Sequence, residues 1–177
     1  MNIKEYIFNY RLKKRPARQA IFPNYDDIRS IIILFESDYQ EKNAVIKGIR
    51  DELLAQDKDV VLWGFCAKKE IQSFILPQSR IMGLKDINLI GCPKQDILVD
   101  LDKRQYDLLL DLTQHPNLPL RYVAMFARAS FKAGLQFQPN MQSDGIHDLL
   151  IQTDPQDTPH FLYTQIIRYL QMISPKK

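Results

Sequence analysis

The chain has 177 residues, of which 45% are hydrophobic and 25% charged, and its formal net charge is +3. This composition is typical of one globular domain and excludes a disordered or low-complexity chain. No apolar run approaches the ~20 residues that a membrane-spanning helix needs. The N-terminus lacks the apolar segment of a secretory signal, and the two cysteines have neither metal-site nor redox-motif spacing. We therefore expect a cytoplasmic protein with free thiols and with no metal or cofactor.

The positive charge is concentrated at the N-terminus. Residues 1–18 contain six basic residues and one acidic residue, so their net charge is +5 and that of the remaining residues is −2. We therefore divide the chain into a basic N-terminal arm with its lead-in, 1–27, and a single α/β domain, 28–177. The main cluster of the arm consists of Arg11, Lys13, Lys14, Arg15 and Arg18. Such an arm can bind RNA, a ribosomal surface or another acidic partner, anionic lipid, or the acidic body of its own chain.

Short β-branched apolar runs alternate with helical stretches along the chain. In chain order, the first half predicts a helix over 2–15 that Pro16 ends, a strand over 30–35, a helix that Ser37 or Asp38 caps, and a strand over 59–64. Residues 66–86 have the least distinct pattern, which fits a short helix and a loop.

The same alternation continues in the second half. It predicts strands over 87–90, 106–112, 135–137 and 147–153, and helices over 94–104, over 118–132 and from Thr158 onward. Gly134 fits the left-handed position that ends a helix, and 97–99 is alternatively a strand. Strands that are apolar on both faces require a parallel sheet covered on both sides. We predict a three-layer, Rossmann-like, doubly wound α/β fold with five or six mostly parallel strands.

Several blocks of the sequence resemble a small bacterial α/β family of unknown function. They are Gly-Cys-Pro-Lys at 91–94, Tyr-Asp-Leu-Leu-Leu-Asp-Leu at 106–112, and the segments 129–134, 147–151 and 169–173. The resemblance covers most of residues 28–173, and it implies no catalytic activity. Residues 106–137 also resemble, locally, the N-terminal half of heptose-type glycosyltransferases. This resemblance implies a lone half-enzyme, since such enzymes need two facing domains.

The candidate binding site lies where the strand order of a doubly wound sheet reverses, outside the carboxyl ends of the strands. The loops after the first and fourth predicted strands supply Glu36, Ser37, Asp38, Thr113, Gln114 and His115. If these strands are neighbours, the two loops enclose a crevice for a small phosphorylated or nucleotide-like ligand. Two features argue against phosphate binding here: the first loop is acidic, and the chain has neither a glycine-rich phosphate loop nor a Walker lysine.

His115 is the titratable residue best placed in this crevice, because histidine changes charge near neutral pH. Asp111 or Asp38 can orient it, or it merely shapes a turn before Pro116. Asp107 and Asp111 share a strand face but lie near its two ends, which favours structural roles. We predict no catalytic residue and expect a non-catalytic small-ligand-binding domain. The alternatives are an interaction protein that acts through the basic arm and, less favoured, an orphan transferase.

Overall fold

The computed structural model describes residues 2–37, 41–67, 78–137, 143–154 and 157–173. The strands within these ranges are β1 (Ser30–Glu36), β2 (Asp59–Phe65), β3 (Ser79–Met82), β4 (Gln105–Asp111), β5 (Arg128–Leu135) and β6 (Leu149–Ile151). The α-helices are α1 (Ile3–Lys13), α2 (Glu41–Leu54), α3 (Gln95–Asp102), α4 (Leu118–Phe126) and α5 (Pro159–Ile173).

The strands form one sheet in the order β3-β2-β1-β4-β5-β6, and every pair is parallel. The predicted α/β class and strand number are therefore confirmed. The order reverses between β1 and β4, which are neighbours with Ile31 opposite Leu108. This reversal places the carboxyl ends of β1 and β4 side by side at one edge of the sheet.

Helices cover both faces of the sheet, because the central strands are apolar on both faces. On one face α2 and α5 bury Ile46, Ile49, Leu53, Leu162, Ile166 and Leu170 against Ile31, Ile33, Leu62, Leu108 and Leu110. On the other, α1, α3 and α4 bury Phe8, Ile97, Leu101, Leu120 and Val123 against Ile32, Leu34, Trp63 and Leu109. The result is the predicted three-layer arrangement, with the core divided by the sheet.

The third strand is not where the sequence predicts it. Residues 79–82 form β3, which pairs with the end of β2. The predicted strand over 87–90 is wrong, since Ile87 makes only an isolated bridge with Pro93 and Leu89 is 93% exposed. The 94–104 helix is confirmed as α3, so the alternative strand over 97–99 is wrong as well.

The predicted helix over 118–132 combines two elements. Helix α4 ends at Phe126, and β5 begins two residues later. Residues 105–110 of β4 pair with 128–133 of β5, so the hydrogen-bond ladder extends the sheet through the segment where a longer helix was predicted. Gly134 lies within β5 and not at a helix end, and the predicted strand over 135–137 is reduced to the last residue of β5. The strand predicted over 147–153 is shorter and becomes β6.

The N-terminal segment packs on the rest of the chain. Asn2 and Glu5 form a capping box that begins α1. Phe8 is fully buried and meets Tyr122 edge to face, with ring centroids 4.9 Å apart. Beyond α1, the Arg18 guanidinium donates to the carbonyls of Ala129 and Ser130. These contacts place α1 in the same helical layer as α3 and α4, so a freely extended arm is not the observed arrangement.

Replacing Phe8 by Ala should lower the free energy of unfolding by about 3–5 kcal/mol, because a fully buried aromatic ring is lost from the core. Tyr6→Ala, on the exposed side of the same helix, should change it by less than about 0.5 kcal/mol. Urea denaturation of the two variants checks this. Equal effects would show that α1 is not packed against α4.

Candidate functional site

The two loops predicted to form a crevice meet at the carboxyl ends of β1 and β4. Glu36, the last residue of β1, accepts a hydrogen bond from the backbone N–H of Gln114 at 3.3 Å. Its Oε2 also lies 3.3 Å from Nδ1 of His115, whose side chain is 72% exposed. Glu36 therefore joins the loops directly, and it orients the histidine in place of the predicted Asp111, which contacts His147 instead. The other predicted partner, Asp38, lies outside the described residues.

Buried polar side chains lie beside this contact. Ser37 follows Glu36 and is 8% exposed; its N–H donates to the carbonyl of Phe65, but its Oγ has no hydrogen-bond partner in the part of the chain that the structure describes. Asn43, in the first turn of α2, is 2% exposed, and neither atom of its amide has a partner among the described residues. Since α2 runs antiparallel to β1, its first turn lies at the same edge of the sheet. Buried polar atoms without partners are rare in folded proteins.

A cavity of about 330 Å³ adjoins the crevice at the carboxyl ends of β5 and β6. Its walls include Gln114, Leu135, Phe137, Thr153 and Thr158. The side-chain amide of Gln114 also donates to the carbonyl of Asp157, just before α5. Gln114 therefore belongs to both the crevice and the cavity, which form one continuous edge.

A buried ion cluster lies behind the crevice, and sequence reasoning missed it. His147 lies between two carboxylates: its Nδ1 is 2.6 Å from Oδ2 of Asp144, and its Nε2 is 3.3 Å from Oδ2 of Asp111. The other oxygen of Asp111 accepts from the N–H and hydroxyl of Thr113. Asp111 and Thr113 thus link the crevice loop to the segment before β6.

The charges in this cluster stabilise one another. Burial by itself lowers the pKa of His147, but Asp111 and Asp144 outweigh this effect and raise it to about 9. Burial likewise opposes ionisation of Asp144, but the hydrogen bond and charge of His147 lower its pKa to about 2. At neutral pH the cluster is therefore an imidazolium held between carboxylates.

Gly134 makes room for this cluster. A Cβ atom at this position in β5 would lie 2.9 Å from Nε2 of His147 and 3.2 Å from Cβ of Asp111. The histidine therefore packs directly against the strand backbone, which is why a glycine is required in the interior of β5.

The structure brings together five of the six predicted crevice residues; Asp38 lies outside the described residues. Glu36, Gln114 and His115 contact one another, whereas the Thr113 hydroxyl is directed to Asp111, 2.7 Å from its Oδ1. Asn43 was not predicted. Its position on the buried face of α2, three residues before Ile46, is the only signal that could have identified it.

Most of the basic N-terminal residues contact other side chains or carbonyls of their own chain. Among the described contacts there is none for Lys13, which is exposed. Arg11 lies 3.7 Å from the sulfur of Cys92, Lys14 lies over Tyr10 and Arg15 lies over Phe126. Arg18 forms an ion pair with Asp148. Binding of an acidic partner by these residues stays a prediction.

Over the described ranges, no helix is both long and apolar enough to cross a membrane. The same ranges contain no group of three His, Cys, Asp or Glu side chains suited to hold a metal ion. Cys66 and Cys92 are buried free thiols.

The stabilisation that His147 provides should depend on pH. Its pKa is about 9 in the folded state and about 6.5 when unfolded, so its contribution is complete below pH 6.5 and lost as pH rises through 9. The difference in unfolding free energy between the natural chain and His147→Gln should therefore shrink over this range. Burial lowers the pKa of Lys132 to about 7, so the contribution of Lys132 to the unfolding free energy changes with pH in the opposite direction. This contribution is present in both proteins and cancels in the difference between them. Denaturant titrations across this range measure the difference; a constant difference, or the same trend in His115→Gln, would contradict the buried imidazolium.

Replacing Gly134 by Ala should destabilise the protein by about 1–3 kcal/mol, because the new methyl group overlaps the imidazole of His147. Gly48→Ala is the matched control. Apart from its chain neighbours and the backbone of α2, no described atom lies within 4 Å of a Cβ at Gly48, so this change should stabilise by about 0.5–1 kcal/mol. Thermal unfolding compares the two, and equal effects would show that β5 tolerates a side chain here.

Comparisons with known proteins identify a family but no activity. No curated protein matches the chain significantly, and no solved structure does so. The local likeness of residues 106–137 to glycosyltransferases stays a prediction. The sequence model of a family of unknown function, DUF6913, matches residues 2–173. The chain therefore belongs to the DUF6913 family.

Proposed function

We propose that this protein binds a small polar ligand in the crevice between the carboxyl ends of β1 and β4. The observation that carries the proposal is a pair of buried side chains at this edge, Ser37 and Asn43, whose polar atoms have no partner among the residues that the structure describes. Each buried polar group without a partner costs about 1–3 kcal/mol. A ligand with both donors and acceptors would remove this cost, so the site favours binding over the empty state.

The chemistry of the crevice favours a ligand rich in hydroxyl groups. Glu36 is a carboxylate acceptor at the end of β1, and in dinucleotide-binding sheets a carboxylate at the same edge, about 20 residues beyond the first βα turn, accepts a ribose hydroxyl. Ser37 and Asn43 can each donate and accept. Because Glu36 repels phosphate, we propose a nucleoside-like or sugar-like group in the crevice itself, with any phosphate outside it.

The adjoining cavity supports a ligand of this size. Its volume of about 330 Å³ is at the lower end of the range of ~300–1,000 Å³ for small-molecule sites. Leu135 and Phe137 supply apolar surface, while Gln114 and Thr158 supply hydrogen-bonding groups. We assign no catalytic step to these residues. The two free thiols favour the proposed cytoplasmic location.

A thermal-unfolding screen of the full chain with nucleosides, nucleotides, sugars and phosphosugars tests the proposal. A ligand at 100 times its dissociation constant should add about 2.7 kcal/mol of stability. Glu36→Gln should abolish most of this gain. Asp27→Asn, an exposed carboxylate near the amino end of β1, is the matched control and should retain it.

Asn43→Leu separates binding from stability. It removes an amide without a partner, so the free protein should become about 1 kcal/mol more stable while the gain from the ligand disappears. If the variant is instead destabilised and still binds, Asn43 is a structural residue. If no compound stabilises the natural chain, the proposed function is wrong.

A further inference from the structure

A second cleft lies at the opposite edge of the sheet, between the N-terminal segment and the amino ends of β4 and β5. Its volume is about 500 Å³. Arg15 and Arg18 line it from the N-terminal segment, and Arg128 and Lys132 from β5. We call these four residues and the space between them the basic cleft.

The cations of the basic cleft are only partly neutralised. Arg18 forms an ion pair with Asp148. Arg15 and Arg128, both exposed, have no carboxylate within ion-pair distance in the described part of the chain. The guanidinium of Arg15 lies 4.9 Å from the centre of the Phe126 ring, and that of Arg128 donates weakly to the carbonyl of Asp102 at 3.4 Å.

Lys132 adds an amino group that is almost completely buried. It is 3% exposed, and its Nζ donates to the carbonyl of Ala124 at 2.6 Å. Burial, together with the charges of Arg18 and Arg15, lowers its pKa to about 7, although Asp148 and Asp144 act in the opposite direction. Asp102 also lies beside Arg15 and Arg128, and its charge favours the charged form of Arg15. With Asp148 paired to Arg18 and Asp144 to His147, the four cations of the cleft still exceed the carboxylates near them.

We propose that the basic cleft binds the phosphate group of a phosphorylated small molecule, with Arg15 and Arg128 as its main ligands and Lys132 in the wall. Guanidinium groups bind phosphate through paired, charge-assisted hydrogen bonds. A phosphate dianion would supply the missing counter-charge. A cleft of about 500 Å³ fits the range for small ligands, and a nearly buried lysine suits a ligand that enters a cavity better than a polymer that lies on a surface.

This site is independent of the crevice between β1 and β4. Arg15 and Arg128 also border a neighbouring cavity of about 680 Å³, so they are accessible from two sides. Because the N-terminal segment is packed into the fold, point variants test the site better than its removal. Neither Arg15 nor Arg128 belongs to the buried core that packs α1 against the sheet, so replacing them leaves this packing in place.

Isothermal titration of the full chain with inorganic pyrophosphate at low salt is the test. We expect saturable binding that weakens at least about tenfold in the Arg15→Gln/Arg128→Gln double variant, since each change removes a charged hydrogen bond. Arg168→Gln on α5, an exposed cation on the opposite face of the sheet, should leave the affinity unchanged.

The proton uptake that accompanies pyrophosphate binding tests separately whether Lys132 belongs to the site. A bound anion should raise the pKa of Lys132, so the natural chain should take up more protons on binding near pH 7.5 than Lys132→Met does. Titrations in buffers of different ionisation enthalpy measure this difference. Equal uptake would remove Lys132 from the site, and the double variant tests the arginines even if Lys132→Met does not fold.

Two results would overturn the proposal. The first is no binding at millimolar pyrophosphate, or equal binding by the double variant. The second is binding of a single-stranded oligoribonucleotide that depends on Arg15 and Arg128, without binding of pyrophosphate; this would make the cleft part of a nucleic-acid surface.

Discussion

The arrangement of the molecule depends on the double burial of its central strand. Residues 31–35 of β1 are buried on both faces of the sheet, and β1 is hydrogen-bonded to β2 on one side and β4 on the other. A strand in this position needs a helical layer above and below it, and it needs neighbours in both directions. The strand order must therefore reverse beside β1, and this reversal brings the loops after β1 and β4 together at one edge.

The sequence predicts the centre of this sheet much better than its edges. β1, β2 and β4 each contain an apolar run that points to both helical layers, which is a pattern visible without a structure. β3, with the sequence Ser-Arg-Ile-Met, has one neighbour and only one fully buried residue, so its composition resembles that of a loop. Residues 87–90 are more apolar, yet they lie outside the sheet. Edge strands are specified by their partner strand more than by their own residues.

The same distinction explains the candidate site. The contact of Glu36 with Gln114 and His115 follows from a topological rule that needs only the positions of two strands. The Asp111–His147–Asp144 cluster depends on how the segment before β6 lies against β5, and no local pattern reports it. The misassigned helix over 118–132 hid this relation, because it placed Gly134 at a helix end. In the structure, that glycine leaves the space that the imidazole occupies.

The outer edge of β5 is completed by two separate pieces of chain, the N-terminal segment and residues 148–151. Arg18 and Ile21 bind its first carbonyls, Asp148 pairs with the backbone of Lys132, and β6 pairs with its last residues. An open edge of this kind can recruit a strand from another molecule, and here it is covered without a long additional strand. Arg18 is 111 residues away from Ala129 along the chain. During synthesis, Arg18 is made before β5 and Asp148, so its segment cannot dock until these partners have been made.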